Sequence, residues 1–234
     1  MIRAECLGVL FDLDGVLIDS NPAVDRVWSG WAIEHGLDPD ELIRAAHGRP
    51  SITTIREYIA EQFAEAENRE VERREIADIE GIVPMPGALE LLRAIPAERW
   101  AIVTSGTYPL ATARIKAAGL PTPKNLVTSS DIIHGKPDPE PYLKGAAKLG
   151  FAAKDCVVLE DAGAGIRAGK AAGAWVIGVR SPTASDAELM EAGADWLVKN
   201  CADVTVQESS DSDGLVLLIK SSVEPLVRRP VGSR

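Results

Sequence analysis

Two aspartates, Asp12 and Asp14, stand one residue apart where the apolar run Leu7–Phe11 gives way to Gly15. A carboxylate at the carboxyl end of a buried strand faces the zone where parallel sheets bind ligands. Two such groups can divide labour, one attacking or ligating a metal while the other gives and takes a proton. A second acidic pair, Glu160-Asp161, follows the run Cys156–Leu159. Oxygen donors from Asp12, Asp161 and a main-chain carbonyl, completed by water and phosphate, are what Mg²⁺ favours. Thr104-Ser105-Gly106-Thr107 follows the run Trp100–Val103 and precedes a helix that starts near Pro109. Hydroxyls and free amides at a helix N-terminus make an anion site suited to phosphate. Lys136 leaves a loop stiffened by Pro137, Pro139 and Pro141, where an ammonium can neutralise a phosphate and a neighbouring carboxylate. Each cluster alone has an ordinary explanation as a turn, a cap or a surface charge. Four of them near the carboxyl ends of successive strands share no such explanation, and together they read as an active site.

The elements that must position these residues alternate. Besides the runs already named, Leu126–Val127, Trp175–Val179 and Trp196–Val198 are short and apolar. Helical patterns fall between the runs near 87–95, 108–119, 139–149, 163–172 and 185–193, and Gly119, Gly150, Gly173 and Gly193 follow four of them as helix-ending glycines do. Near-continuous apolar strands alternating with helices predict an α/β protein with a parallel sheet covered on both faces. The alternation lapses over 18–82, which reads as a helical insertion packed over the sheet edge. There Ile55, Ile59 and Phe63 recur at fourfold spacing, and the nine acidic against three basic residues of 57–80 predict a solvated helix face. Val204–Glu208 and Leu215–Ile219 flank a Ser/Asp/Gly turn and predict a β-hairpin appended to the sheet, with Gly214 easing the turn.

Composition narrows the function classes. The 234 residues carry 25 Lys+Arg against 35 Asp+Glu, a net charge of −10, which excludes a broad nucleic-acid or anionic-membrane surface because both need a basic face. No run approaches the roughly 20 apolar residues of a membrane-spanning helix. The start of the chain lacks the basic, apolar and small-residue succession of a signal peptide. Cys6, Cys156 and Cys201 are widely spaced and form no CxxC, so buried thiols in a reducing, cytoplasmic setting are expected. Nothing in the chain demands a partner, and a monomer is expected.

Together the four clusters resemble the haloacid dehalogenase (HAD) superfamily of Mg²⁺-dependent phosphohydrolases, a likeness that covers nearly the whole chain. It rests on Asp12-Leu13-Asp14-Gly15-Val16, Thr104-Ser105, Lys136 and Glu160-Asp161. The resemblance implies a Rossmann-like core over 1–17 and 83–234, with a helical cap over 18–82. It implies that Asp12 is the nucleophile and forms an aspartyl-phosphate. Asp14 would then act as general acid toward the leaving alcohol and as general base toward water. Mg²⁺ would lie between Asp12, the main-chain carbonyl of Asp14 and Asp161, with Glu160 nearby or acting through water. Thr104, the Ser105 amide and Lys136 would hold the phosphoryl oxygens. Closer stretches, Ala46-His47-Gly48-Arg49, Ala101–Thr107, Gly135–Gly145 and Ala162–Gly173, are similar to the branch of glycerol-phosphate, 2-deoxyglucose-6-phosphate and hexitol- or sugar-phosphate phosphatases. That likeness implies a small sugar or polyol phosphate as substrate. It also places Arg49, and less directly His47 and Asn21, toward the substrate.

Three neighbouring readings remain. β-Phosphoglucomutases share the four motifs but carry a histidine ten residues after the acid/base aspartate, where this chain has Val24. Dehalogenases of the same superfamily lack an acid at the position of Asp14. A non-catalytic relative that binds a phosphometabolite would be free to lose the nucleophile, whereas Asp12, Asp14, Lys136 and Asp161 are all present here.

Overall fold

The computed structural model describes residues 1–46, 50–208 and 214–221. The chain begins with β1 (Ile2–Cys6) and β2 (Gly8–Phe11), then passes through the two-residue strand β3 (Ile18–Asp19) into four helices. These are α1 (Asn21–Glu34), α2 (Pro39–Ala46), α3 (Ser51–Tyr58) and α4 (Glu61–Ala77). The return strand β4 (Val83–Pro84) pairs antiparallel with β3, Ile18 opposite Pro84 and Asp19 opposite Val83. There follow α5 (Ala88–Ala94), β5 (Trp100–Val103), α6 (Tyr108–Ala117), β6 (Leu126–Val127), α7 (Glu140–Leu149) and β7 (Cys156–Glu160). The last elements are α8 (Gly163–Ala171), β8 (Trp175–Val179), α9 (Asp186–Glu191), β9 (Trp196–Val198), β10 (Val204–Glu208) and β11 (Leu215–Ile219).

Six strands form one parallel sheet in the order β6-β5-β2-β7-β8-β9. Their apolar runs are continuous because alternate side chains enter two different cores. On one face Phe11, Ile102 and Leu159 pack with Leu91, Leu92 and Ile115 of α5 and α6. On the other, Leu10, Val103 and Val158 pack with Tyr142, Ala146, Ile166 and Leu189 of α7, α8 and α9. The parallel α/β core thus matches the expected class, and β2, β5 and β7, which precede three of the polar clusters, lie side by side at its centre. Gly119, Gly150, Gly173 and Gly193 all have positive φ, as helix-ending glycines require.

The helices α1–α4 bury a third cluster of their own, centred on Trp28, Trp31, Leu42, Ile55 and Val71. The fourfold repeat Ile55, Ile59, Phe63 does not describe one helix. Ile55 is buried, but Ile59 has an extended backbone that ends α3, and Phe63 on α4 is 56% exposed. The acidic stretch is also not wholly solvated, because Glu75 is buried at 7% exposure.

The C-terminal pair β10–β11 is antiparallel as expected, but it is not appended to the main sheet. β11 pairs on its other edge with β1, making a separate three-stranded sheet β1-β11-β10. The alternation Ile2-Arg3-Ala4-Glu5-Cys6 supplies that partner: Ala4 and Cys6 are buried, while Arg3 and Glu5 face outward. The turn over 209–213 lies outside the described residues. All three cysteines are free and buried, and burial pushes each thiol up to about 12. Among the described residues no helix is long and apolar enough to cross a membrane.

Candidate active site

Asp12 follows β2 directly, and its amide donates to the Leu159 carbonyl at 3.0 Å, so the strand pairing itself fixes its position. It is 8% exposed. Lys136 reaches it from the loop before α7: Nζ donates to Asp12 Oδ1, to Glu160 Oε1 at 2.6 Å and to the Val103 carbonyl at 3.1 Å. Glu140 anchors that loop, its carboxylate accepting from the Ile133 and His134 amides. The Lys136-Pro137 peptide is cis. Thr104, 3% exposed, follows β5 and is held by its amide on the Val127 carbonyl at 3.0 Å. Its Oγ1 accepts from the Gly106 amide at 3.1 Å.

Charge in this cluster is strongly coupled. Burial pushes the Asp12 carboxyl up to about 7, with Glu160 and Asp14 adding to the rise and Lys136 opposing it. Burial alone would lower the Lys136 ammonium, but the charges of Asp12 and Glu160 overcome this and hold it well above its ordinary value. Asp161 is raised well above the usual carboxylate range by burial and by the charges of Glu160 and Asp12. Three carboxylates therefore crowd one lysine, an excess of negative charge that a divalent cation would relieve.

Mg²⁺ fits the donors present. Asp161 lines the cavity and makes no hydrogen bond or ion pair among the described residues, so its oxygens are available. Gly15 (φ +81°) lies so close that any side chain there would run into the Asp161 carboxylate. Among the described residues no group of three His, Cys, Asp or Glu side chains is placed to hold a metal ion by itself, so Mg²⁺ would need main-chain, water and phosphate oxygens beside one or two carboxylates. Glu160 faces elsewhere. Its Oε1 accepts from Lys136 and from Tyr142 Oη at 2.9 Å, and its Oε2 accepts from the Ala162 amide at 3.0 Å. It braces the lysine, and a Cβ on Gly165 would overlap its carboxyl.

Above these residues lies a cavity of about 210 Å³ between the sheet and the helical insertion. Its floor holds Asp12, Asp14, Thr104, Ser105, Lys136 and Asp161; its roof includes Asn21, Val24, Trp28, Ser51, Asn68 and Glu72. The structure thus brings together all the expected site residues that it describes. His47 and Arg49 lie outside the described residues, although Ala46 and Pro50 on either side of them line the cavity.

The sequence reading did not single out Arg114, Glu75 or Tyr142. Arg114 Nη1 donates to Asp14 Oδ1 at 3.0 Å and Nη2 to Glu75 Oε1 at 3.2 Å. Ser20 Oγ donates to the same Asp14 oxygen at 2.6 Å. The available signal was position: Arg114 shares the buried side of α6 with Leu110, Ala111 and Ile115, where a solvated arginine has no place.

The family model for haloacid dehalogenase-like hydrolases matches residues 7–173, a span that contains all four polar clusters. The chain belongs to this family. Within haloacid dehalogenase-like hydrolases, it is 45% identical to hexitol phosphatase A of Escherichia coli (strain K12) over 219 residues, covering 90% of this chain and 99% of that one. It is 38% identical to glycerol-1-phosphate phosphohydrolase 2 of Saccharomyces cerevisiae over 213 residues, covering 84% and 83%. A hydrolase structure from Pseudomonas syringae superposes with a TM-score of 0.74 at 30% identity, covering 84% of this chain and 94% of the other.

Proposed function

We propose that this protein is a Mg²⁺-dependent phosphatase that hydrolyses small sugar or polyol phosphate monoesters through an aspartyl-phosphate on Asp12. The observation that carries the reading is the meeting of Asp12, Lys136, Thr104 and Asp161, the last without a partner among the described residues, on the floor of one cavity under the helical insertion. The similarity to a hexitol phosphatase and a glycerol-1-phosphate phosphohydrolase supports the substrate class.

In this reading an oxygen of Asp12 attacks phosphorus as the bond to the substrate alcohol breaks, and Asp14 gives its proton to the departing oxygen. Asp14 then takes a proton from the water that attacks the aspartyl-phosphate, releasing inorganic phosphate and restoring Asp12. Lys136, Thr104 and the Ser105 amide hold the phosphoryl oxygens, and Glu160 with Tyr142 keeps Lys136 aimed. Asp12, Asp161 and the Asp14 carbonyl would hold Mg²⁺, which when bound neutralises the crowded carboxylates and the phosphoryl charge. The insertion over 18–82 acts as a cap that keeps bulk water out and admits only small substrates. Asn21, on the roof of the cavity, is placed toward the substrate in this reading, and the family resemblance assigns a substrate contact to Arg49. The protein works as a monomer in the cytoplasm.

Val24 lines the cavity where a mutase of this fold carries histidine, which favours release of phosphate over its return to a sugar. The test is phosphate release from hexitol, glycerol and deoxyhexose phosphates with Mg²⁺ and with EDTA, alongside β-glucose-1-phosphate with a bisphosphate activator. Isomerised product without net release would replace the phosphatase by a mutase. Silence on every ester would favour a binding protein.

A further inference from the structure

We propose that Arg114 is the positioning residue of Asp14 and makes the orientation of that carboxyl depend on the seating of the helical insertion. The inference rests on the phosphatase reading above. Three segments far apart in sequence meet here: Asp14 beyond β2, Arg114 on α6 and Glu75 on α4 of the insertion. The Arg114 and Glu75 side chains are only 7% and 8% exposed. A buried guanidinium shared between two carboxylates is stable only while both are in place. α4 must therefore be seated against α6 for Arg114 to keep its geometry at Asp14. A second tie lies one turn earlier on α4, where Glu72 accepts from Thr107 Oγ1 in the loop that carries Thr104 and Ser105.

The contacts also choose which oxygen works. Ser20 and Arg114 both hold Asp14 Oδ1, and among the described residues Oδ2 has no side-chain partner. Oδ2 is thereby left to pass the proton.

The role separates from a structural one through the leaving group. An alkoxide needs the proton that Asp14 supplies, whereas p-nitrophenolate leaves without it. Steady-state kinetics would compare wild type, Arg114→Lys and Glu75→Gln on a polyol phosphate and on p-nitrophenyl phosphate, with circular dichroism verifying the fold. Arg114→Lys is expected to lower kcat/KM, which reports the step in which the alcohol departs, by about 10- to 100-fold on the polyol phosphate, with a much smaller loss of kcat/KM on the aryl ester; kcat includes the shared hydrolysis of the aspartyl-phosphate and falls on both. Glu75→Gln should follow the same pattern more weakly. Equal losses of kcat/KM on both esters, or none, would overturn the positioning role while leaving the phosphatase reading intact. Wild-type silence on both esters would remove that reading and this role with it.

Discussion

At Asp12, burial and charge pull in opposite directions. Burial, with the negative charges of Glu160 and Asp14, pushes its carboxyl up to about 7, and the Lys136 ammonium works against that rise. Lys136 thus serves Asp12 and Glu160 at once, and its loss would leave two buried acids facing each other. Lys136→Ala is expected to lower kcat by about 10²–10³ by removing a charge aimed at the phosphoryl group. It should also destabilise the fold by about 3–5 kcal/mol, the order found when one partner of a buried pair is removed. Turnover and thermal melting check the two effects separately; a fully active variant would remove Lys136 from the site. Asp12, Asp14, Thr104, Lys136 and Asp161 were legible in the sequence because each stands just beyond an apolar run or in a proline-stiffened loop. Arg114 and Glu75 were not. Their mutual contact spans 39 residues and that of Arg114 with Asp14 spans 100, and the local signal, Arg114 on the apolar side of α6, names no partner.

At the scale of elements, the loop before α7 shows how local bonding delivers the Lys136 ammonium to Asp12. Glu140 opens α7 and accepts from the amides of Ile133 and His134, clamping the base of the loop from which Lys136 reaches inward. Its carboxyl is lowered to about 2, first by the hydrogen bond from Lys144 and then by the His134 and Ile133 amides. A depressed carboxyl stabilises the folded form above its unfolded value near 4.5, and the gain is lost as pH falls from there toward 2. Glu140→Gln is therefore expected to flatten the acid limb of a melting-temperature profile between those values. An unchanged acid limb would show that the clamp adds nothing to folding. The six sheet strands were legible because both faces are covered and the apolar runs are unbroken. The partner of the C-terminal hairpin was not, since Ile2–Cys6 alternates over only five residues and pairs with β11 across almost the entire chain. The break at Ile59 was likewise hidden, because periodicity alone does not register a residue whose backbone turns extended.

For the whole molecule, the insertion is a second small core set over the first, and the cavity is the space between them. Trp31 anchors it: the ring is fully buried, and Nε1 donates to Glu67 on α4 at 2.8 Å. Trp31→Ala is expected to cost about 3–5 kcal/mol and to loosen the roof of the cavity, read as a lower melting temperature and increased protease cleavage within 18–82. Unchanged melting would show that α1–α4 do not depend on this core. A net charge of −10 belongs to the whole chain, whereas in the proposed reading Lys136 and Mg²⁺ would set the local field met by a small anion. The central claim, that Asp12 accepts a phosphoryl group from a small sugar or polyol phosphate, has a direct measurement. Phosphate release from hexitol, glycerol and deoxyhexose phosphates would be followed with Mg²⁺ and with EDTA, for wild type and for Asp12→Asn. Metal-dependent release that disappears in a folded Asp12→Asn protein is the expected result. Release that survives Asp12→Asn would contradict the account.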